Sequence, residues 1–375
     1  MKQIRHRTGA VTEMEQTTAK KNKYEIDMCN GTIMDKLISF SLPLMLSGIL
    51  QLMFNAVDII VVGRFSGSQA LAAVGSTSAL INVFTNLFIG ISLGANVLTA
   101  RFYAAGREKE VSETVHTAIT LALVSGIVMA LVGLVFSKGA LALMGTPDDV
   151  IGLSALYMRI YFLGMPFFML YNYGAAILRA VGDTKRPLLF LMIAGVINAC
   201  LNMVLVIVFK LGVAGVAIAT VISQMISCVL VLRCLCRSES SYRLRFSELG
   251  MKGYYLKQIF SVGVPAGIQS TVINFSNVLL QSSVNSFGST AMAGYTAANN
   301  LLGFLYVSVN SITQACMSFT SQNYGVGKLK RMDRVLADCM ILSVVVAVVL
   351  GCICYGFGPE ILQIYTEDAE VIACG

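Results

Sequence analysis

Apolar residues in this 375-residue chain come in long blocks, and charged residues mark the edges of the blocks. Residues 37–63 hold one charge, Asp58, and residues 65–100 hold none. Further uncharged runs cover 114–137, 160–178, 187–209, 211–232 and 339–359. The longest run, Gln258 to Gly327, is 70 residues and must hold two elements, with a break near Asn285-Ser286-Phe287-Gly288-Ser289. A helix needs about 20 apolar residues to cross a bilayer, whereas a transmembrane strand needs about ten with strict alternation. These runs are too long for strands and do not alternate, so they read as helices. The pattern predicts nine spans, at 37–63, 75–98, 114–137, 157–178, 188–209, 212–232, 258–284, 292–315 and 337–358.

Composition agrees with a membrane protein. Hydrophobic residues make up 56%, charged residues 13%, and mean hydropathy is +0.75, against about 25% charged in a soluble domain. The first 36 residues are polar and carry seven Lys or Arg, without the apolar core and cleavage site of a signal peptide. Two His, His6 and His116, are too few for a histidine metal cluster. Most of the ten Cys, including Cys200, Cys228, Cys316 and Cys339, lie in apolar runs and read as small core residues. The 19 Met, Met45, Met53, Met165, Met169 and Met203 among them, read as core filler or as an adaptable drug surface. Pro43, Pro166, Pro187 and Pro265 are expected to kink or start helices, and Pro147 marks a turn.

Net charge is +7, and its distribution sets an orientation. With the N-terminus inside, 23 of the 27 Lys and Arg fall on inside segments. Arg64, Lys138, Lys210 and Arg159 remain at the outer side. The predicted organisation is a cytoplasmic segment 1–36, a lobe 37–232 with six helices, a basic cytoplasmic linker 233–257, and a partial lobe 258–375 with three helices and an outside tail. The expected location is the cell membrane, crossed many times.

The chain also resembles itself at an offset of 221–222 residues. Leu37 through Pro43 matches Ile259 through Pro265, Gly67 through Ala72 matches Gly288 through Ala293, and Gly90 through Gly106 matches Ser311 through Gly327. Both copies begin on the same side, which makes a parallel repeat. The first copy has six helices and the second has three, so a full second copy would run roughly eighty residues beyond Gly375. The fold expectation is an all-α integral membrane protein of two parallel-repeat helical lobes, six helices plus three of an expected six.

Local motifs carry a resemblance. They are Asn55-Ala56-Val57-Asp58 with Val62-Gly63-Arg64, Leu71 through Gly75, Leu178-Arg179-Ala180-Val181-Gly182-Asp183-Thr184-Lys185-Arg186-Pro187, and Gly212 through Ala217. With the repeat, they resemble the multidrug and toxic compound extrusion (MATE) family and, more loosely, its oligosaccharidyl-lipid flippase relatives. The likeness runs from about residue 28 to the end, and the Arg-Ala-x-Gly-Asp-x-x-x-Pro turn is its most specific part. It implies two six-helix lobes that exchange drugs for protons or sodium, with no cofactor.

Apart from Asp338 at the very start of the last one, Asp58 is the only carboxylate inside a predicted span. An acid at the bilayer centre costs about 2.5–3.5 kcal/mol, so it marks either a helix end pairing with Arg64 or an ion site facing the interior. Gln51, Asn55 and Asp58 follow i, i+4, i+7 spacing and predict one polar helix face lining a cavity. Asn198 and Asn202 share a face of the fifth span, Thr220 adds a hydroxyl on the sixth, and Asn172 an amide on the fourth. Taken singly, these amides and hydroxyls read equally as interhelical hydrogen-bonding groups. The family resemblance implies that Asp58, Asn198, Asn202 and Thr220 form the first lobe's cation or proton site, open to sodium. It implies that Gln51, Asn55, Tyr157 and Asn172 occupy neighbouring cavity positions. Many relatives have Asp where Asn202 stands, which weakens tight sodium binding here and leaves a proton through Asp58. In the second copy Leu280 aligns with Asp58. Asn274, Asn277, Gln281 and Asn285 share a face with no acid, and Ile273 stands where one family branch has Glu.

The leading expectation is a secondary antiporter that exports amphipathic, often cationic drugs or toxins. Its partners are such small molecules and the lipid bilayer, without nucleic acid, and it works as a monomer. A flippase would want a cationic cavity, and the spans hold almost no Lys or Arg. No paired acids, histidine cluster or Ser-His arrangement supports an enzyme. A transport-inactive fragment is the remaining alternative.

Overall fold

The computed structural model describes residues 24–144, 146–285, 289–363 and 369–374. His6, Gly145, the break residues 286–288, the tail acids Glu367 and Asp368, and the side chains of Asn274, Gln281 and Asn285 lie outside the described residues. The described part is helical with short turns, and no strand occurs in it. The long elements are α1 (Met34–Phe65), α2 (Ser68–Ala104), α3 (Glu108–Leu143), α4 (Asp148–Leu163), α5 (Met165–Ala180), α6 (Lys185–Asn202), α7 (Gly212–Cys236), α8 (Gly253–Asn285), α9 (Ser289–Gly325) and α10 (Leu329–Gly356). Two short helices, Gly358–Leu362 and Ala369–Cys374, follow.

The apolar blocks locate the helices but not their full length. The third predicted span, 114–137, lies within a helix running Glu108–Leu143, because the backbone ladder continues through polar ends. Two expectations about shape are corrected. The fourth span, 157–178, is not one rod: α4 and α5 meet at Gly164 with a bend of 47°. Pro166 starts α5, and its missing N–H falls where a helix has an unpaired donor in any case. The fifth span is α-helical only to Asn202 and continues as a π-helix, Met203–Val208. The nine-span count also meets a limit. Among the described residues, six helices are long and apolar enough to cross a membrane, or seven if the bent pair is one span. The other two, α8 and α9, have 33 and 37 residues and are the richest in Ser, Thr, Asn and Gln.

Two apolar cores organise the packing. The larger joins α2–α7 with Tyr242, Leu244, Tyr255 and Ile259. The smaller holds Met28, Leu37, Phe40 and Leu44 against Ile312, Phe319 and Val335. Helix α1 therefore straddles the molecule. Its first turns pack on α9 and α10, while Asp58, Val61 and Val62 sit buried against the other group. Apolar side chains such as Val344, Val345, Val348 and Val349 of α10 are exposed, a surface suited to lipid rather than water.

Helices α2 and α8 cross with almost no side chain between them. A Cβ on Gly94 would lie 2.1 Å from the Ile259 carbonyl oxygen, and one on Gly90 would lie 2.2 Å from the Gly267 Cα. By the repeat, the contact of α9 with α1 is the counterpart of this crossing, and Gly48 there faces Val307. Beyond the crossing, α8 presents Ile268, Gln269, Val272, Ile273, Asn277 and Leu280 as exposed residues. The 237–252 segment lies at the other end, ordered by Tyr242 and Leu244 in the larger core and by Arg245 N–H donating to His116 Nε2 at 3.0 Å.

Candidate functional site

Three helices bring four polar residues together. Asp58 comes from the C-terminal part of α1, Asn198 and Asn202 from the last turns of α6, and Thr220 from the third turn of α7. The i, i+4 spacing aligns the two carboxamides, and the Asn202 amide donates to Asn198 Oδ1 at 3.2 Å. The same Asn202 nitrogen donates to Asp58 Oδ1. Asn198 donates to Thr220 Oγ1 at 3.5 Å. Asp58, Asn198 and Asn202 are all buried. The partners of Asp58 are these groups, which sets aside a helix-end pairing with Arg64.

Hydrogen-bond accounting shows what the cluster lacks. Thr220 has one hydroxyl proton and two acceptors in reach, Val216 O at 3.0 Å and Asp58 Oδ2 at 3.5 Å. The shorter contact takes the proton, so Oδ2 is weakly held. The buried Asn202 Oδ1 has no hydrogen-bond partner. Two oxygens of the buried cluster thus keep lone pairs to spare, and a buried acceptor without a donor is costly. A proton on the carboxyl or a small hard cation among these oxygens would satisfy both. The donor set contains only oxygen ligands, which suits such a cation and does not suit a soft metal. Among the described residues, no group of three or more His, Cys, Asp or Glu could hold a metal ion.

The expected neighbours divide. Tyr157 is buried, stacks on Tyr161 with ring centroids 6.1 Å apart, and has its hydroxyl within electrostatic reach of Asp58. Tyr161, one turn on and stacked on Tyr157, was not singled out from the sequence, although its i+4 spacing to Tyr157 was visible. Asn172 stays out of the cluster, its amide donating to Phe168 O of its own helix at 2.8 Å. Gln51 and Asn55 are exposed, whereas Asp58 on the same face of α1 is buried. Phe54 packs against Gly195 of α6, and Gly48 against Val307 of α9.

A multi-pass helical body with a buried polar network among its apolar helices has the architecture of a membrane transporter. The MatE family model matches residues 43–204 and 265–375, and the chain belongs to this family of multidrug efflux transporters, not to an enzyme family. The chain is 34% identical over 342 residues to the probable multidrug resistance protein YoeA of Bacillus subtilis, covering 89% of this chain and 73% of that protein. It is 22% identical to the multidrug export protein MepA of Staphylococcus aureus, covering 90% of this chain and 74% of that one. Among solved structures it resembles an outward-facing multidrug resistance MATE transporter, with a TM-score of 0.87 at 21% identity over 94% of this chain and 79% of that one.

Proposed function

We propose that the protein is a secondary antiporter that exports amphipathic, often cationic drugs or toxins from the cytoplasm in exchange for protons or sodium. The observation that carries this reading is the buried Asp58 carboxylate with its weakly held Oδ2 and, on the Asn202 side chain that donates to its other oxygen, an unpartnered Oδ1. Such a site is incomplete without a positive guest and sits on three helices that must move together. Occupation by a proton or cation satisfies these acceptors, and release leaves them bare, so occupancy biases the packing of α1 against α6 and α7. Gln51 and Asn55, exposed on the same helix face as Asp58, are the residues a drug would meet. Residues 37–232 and 258–375 act as the two rocking units, with the N-terminus and the 233–257 linker on the cytoplasmic side. The Lys and Arg distribution supports that orientation.

The test is ion-driven transport by the purified chain in vesicles. A fluorescent lipophilic cation should move against its gradient when a proton or sodium gradient is imposed in the opposite direction. Absence of coupled movement with either ion rejects the reading.

A further inference from the structure

We propose that residues Tyr24–Asn30 form a latch that holds the two groups of helices together at the linker end and must let go before that end can open. The proposal rests on the antiporter reading above, since it gives that reading a gate. The segment precedes α1 and lies across the ends of helices from both parts of the chain.

Its first anchor is Glu25. One carboxylate oxygen accepts from the Tyr103 hydroxyl at 2.7 Å, and the other from the Tyr242 hydroxyl at 2.8 Å. Tyr103 ends α2, and Tyr242, fully buried, belongs to the linker. Their rings meet edge to face with centroids 6.1 Å apart. Hydrogen bonds to a charged acceptor are the strong kind, and here both donors come from outside the segment. Next to it, Ile26 N–H donates to Gly182 O at 3.2 Å. Gly182 has φ +99°, and a Cβ there would stand 2.6 Å from the Ile26 carbonyl oxygen, so this approach requires glycine.

The second anchor faces the other way. Met28 is fully buried in the smaller core with Phe319 and Val335. Its carbonyl accepts from Asn323 Nδ2 at 3.1 Å, and Lys328 Nζ reaches the Cys29 carbonyl at 2.9 Å. Seven consecutive residues thus tie α2, the turn after α5 and the linker to α9 and α10.

The seam under the latch is closed by direct contacts. Ser318 donates to Asn96 Oδ1 at 3.1 Å while the Asn96 amide donates to Ala176 O at 2.9 Å. Gln322 donates to Ala180 O at 2.7 Å, and the Arg101 guanidinium lies over the Tyr324 ring at 4.7 Å. These pairs must part if the cavity is ever to face this side. The latch adds a second set of contacts that the same movement has to break, so its strength sets how often the seam opens.

The experiment uses the full chain with native cysteines replaced and Ser318→Cys as a seam reporter, labelled by a small water-borne maleimide. Glu25→Ala, and separately the pair Tyr103→Phe with Tyr242→Phe, should raise the labelling rate on the order of tenfold, since each removes two charge-assisted hydrogen bonds. A rate equal to that of the parent in both variants overturns the latch. A second arm joins Glu25→Cys to Tyr242→Cys with a short, reducible bifunctional thiol reagent. Bridging should stop efflux and reduction should restore it, whereas full efflux with the bridge in place also overturns the proposal. Labelling needs no transport. A seam that responds in a protein with no efflux in any form leaves the latch standing and removes the antiporter reading.

Discussion

The Asn202 amide donates to Asp58 Oδ1 across 144 residues of sequence, while the oxygen of the same amide has no partner. One side chain therefore both restrains the acid and offers an unused ligand beside it. Changing this residue separates the two functions.

Asn202→Asp puts a second carboxylate against the first. Two acids at this spacing cannot both stay charged without a cation or a shared proton. Efflux is expected to gain sodium dependence, read as the ratio of initial rates under a sodium gradient and under a proton gradient. A ratio unchanged from the parent protein counts against a cation role for this oxygen cluster.

Asn172 provides the contrast. Its amide is bound to Phe168 O within its own helix, so the truncation Asn172→Ala removes a local contact and nothing from the cluster. Coupled efflux is expected to stay within about twofold, the range of a substitution that breaks no buried network. A loss comparable to that of a cluster mutant would show that Asn172 joins the site during the cycle.

Gly94 governs the crossing of α2 and α8. Gly94→Val forces the Ile259 carbonyl away, and overpacking of this kind costs about 1–3 kcal/mol. The midpoint of thermal unfolding in detergent is expected to fall by several degrees. Gly250→Val, whose added Cβ meets nothing within 4 Å, should leave it unchanged. Equal midpoints for both variants would mean that the close approach is relieved at no cost.

Orientation is tested on the linker. Glu239 is exposed and precedes the buried Tyr242, so Glu239→Cys (native cysteines replaced) is the reporter. It should resist an impermeant thiol reagent added outside intact cells and react once the membrane is opened. Ready labelling from outside would reverse the proposed topology.

Much of this was legible in the residues. Asp58 stood out because no other acid lies in an apolar run, and Asn198 with Asn202 announced a shared helix face by spacing alone. The meeting of α1, α6 and α7 around them followed from the family resemblance rather than from any local signal. What the pattern missed depends on neighbours. Gln51 and Asn55 are one or two turns from Asp58 and look equivalent on a helical wheel. Their exposure is decided by Gly195 receiving Phe54 and by Val307 meeting Gly48, contacts from residues far away in sequence. Hydropathy is likewise blind to direction, so it read α4 and α5 as one span; Pro166 marked a kink or helix start there, but nothing in the letters marked the π-turn after Asn202. The polar texture of α8 and α9 was visible, but whether it faces lipid or a cleft is not a property of the strand of letters.

The most direct measurement is coupled efflux by Asp58→Asn. The substitution keeps the size of the side chain and removes its charge and its proton. Insertion and expression should remain near those of the parent, because a neutral amide is easier to bury in a bilayer than a carboxylate. In vesicles with an imposed proton or sodium gradient, the variant is expected to lose gradient-driven efflux of a fluorescent cation while the parent shows it. Efflux by Asp58→Asn with the parent's dependence on the gradient would contradict the account and make Asp58 a structural residue of α1.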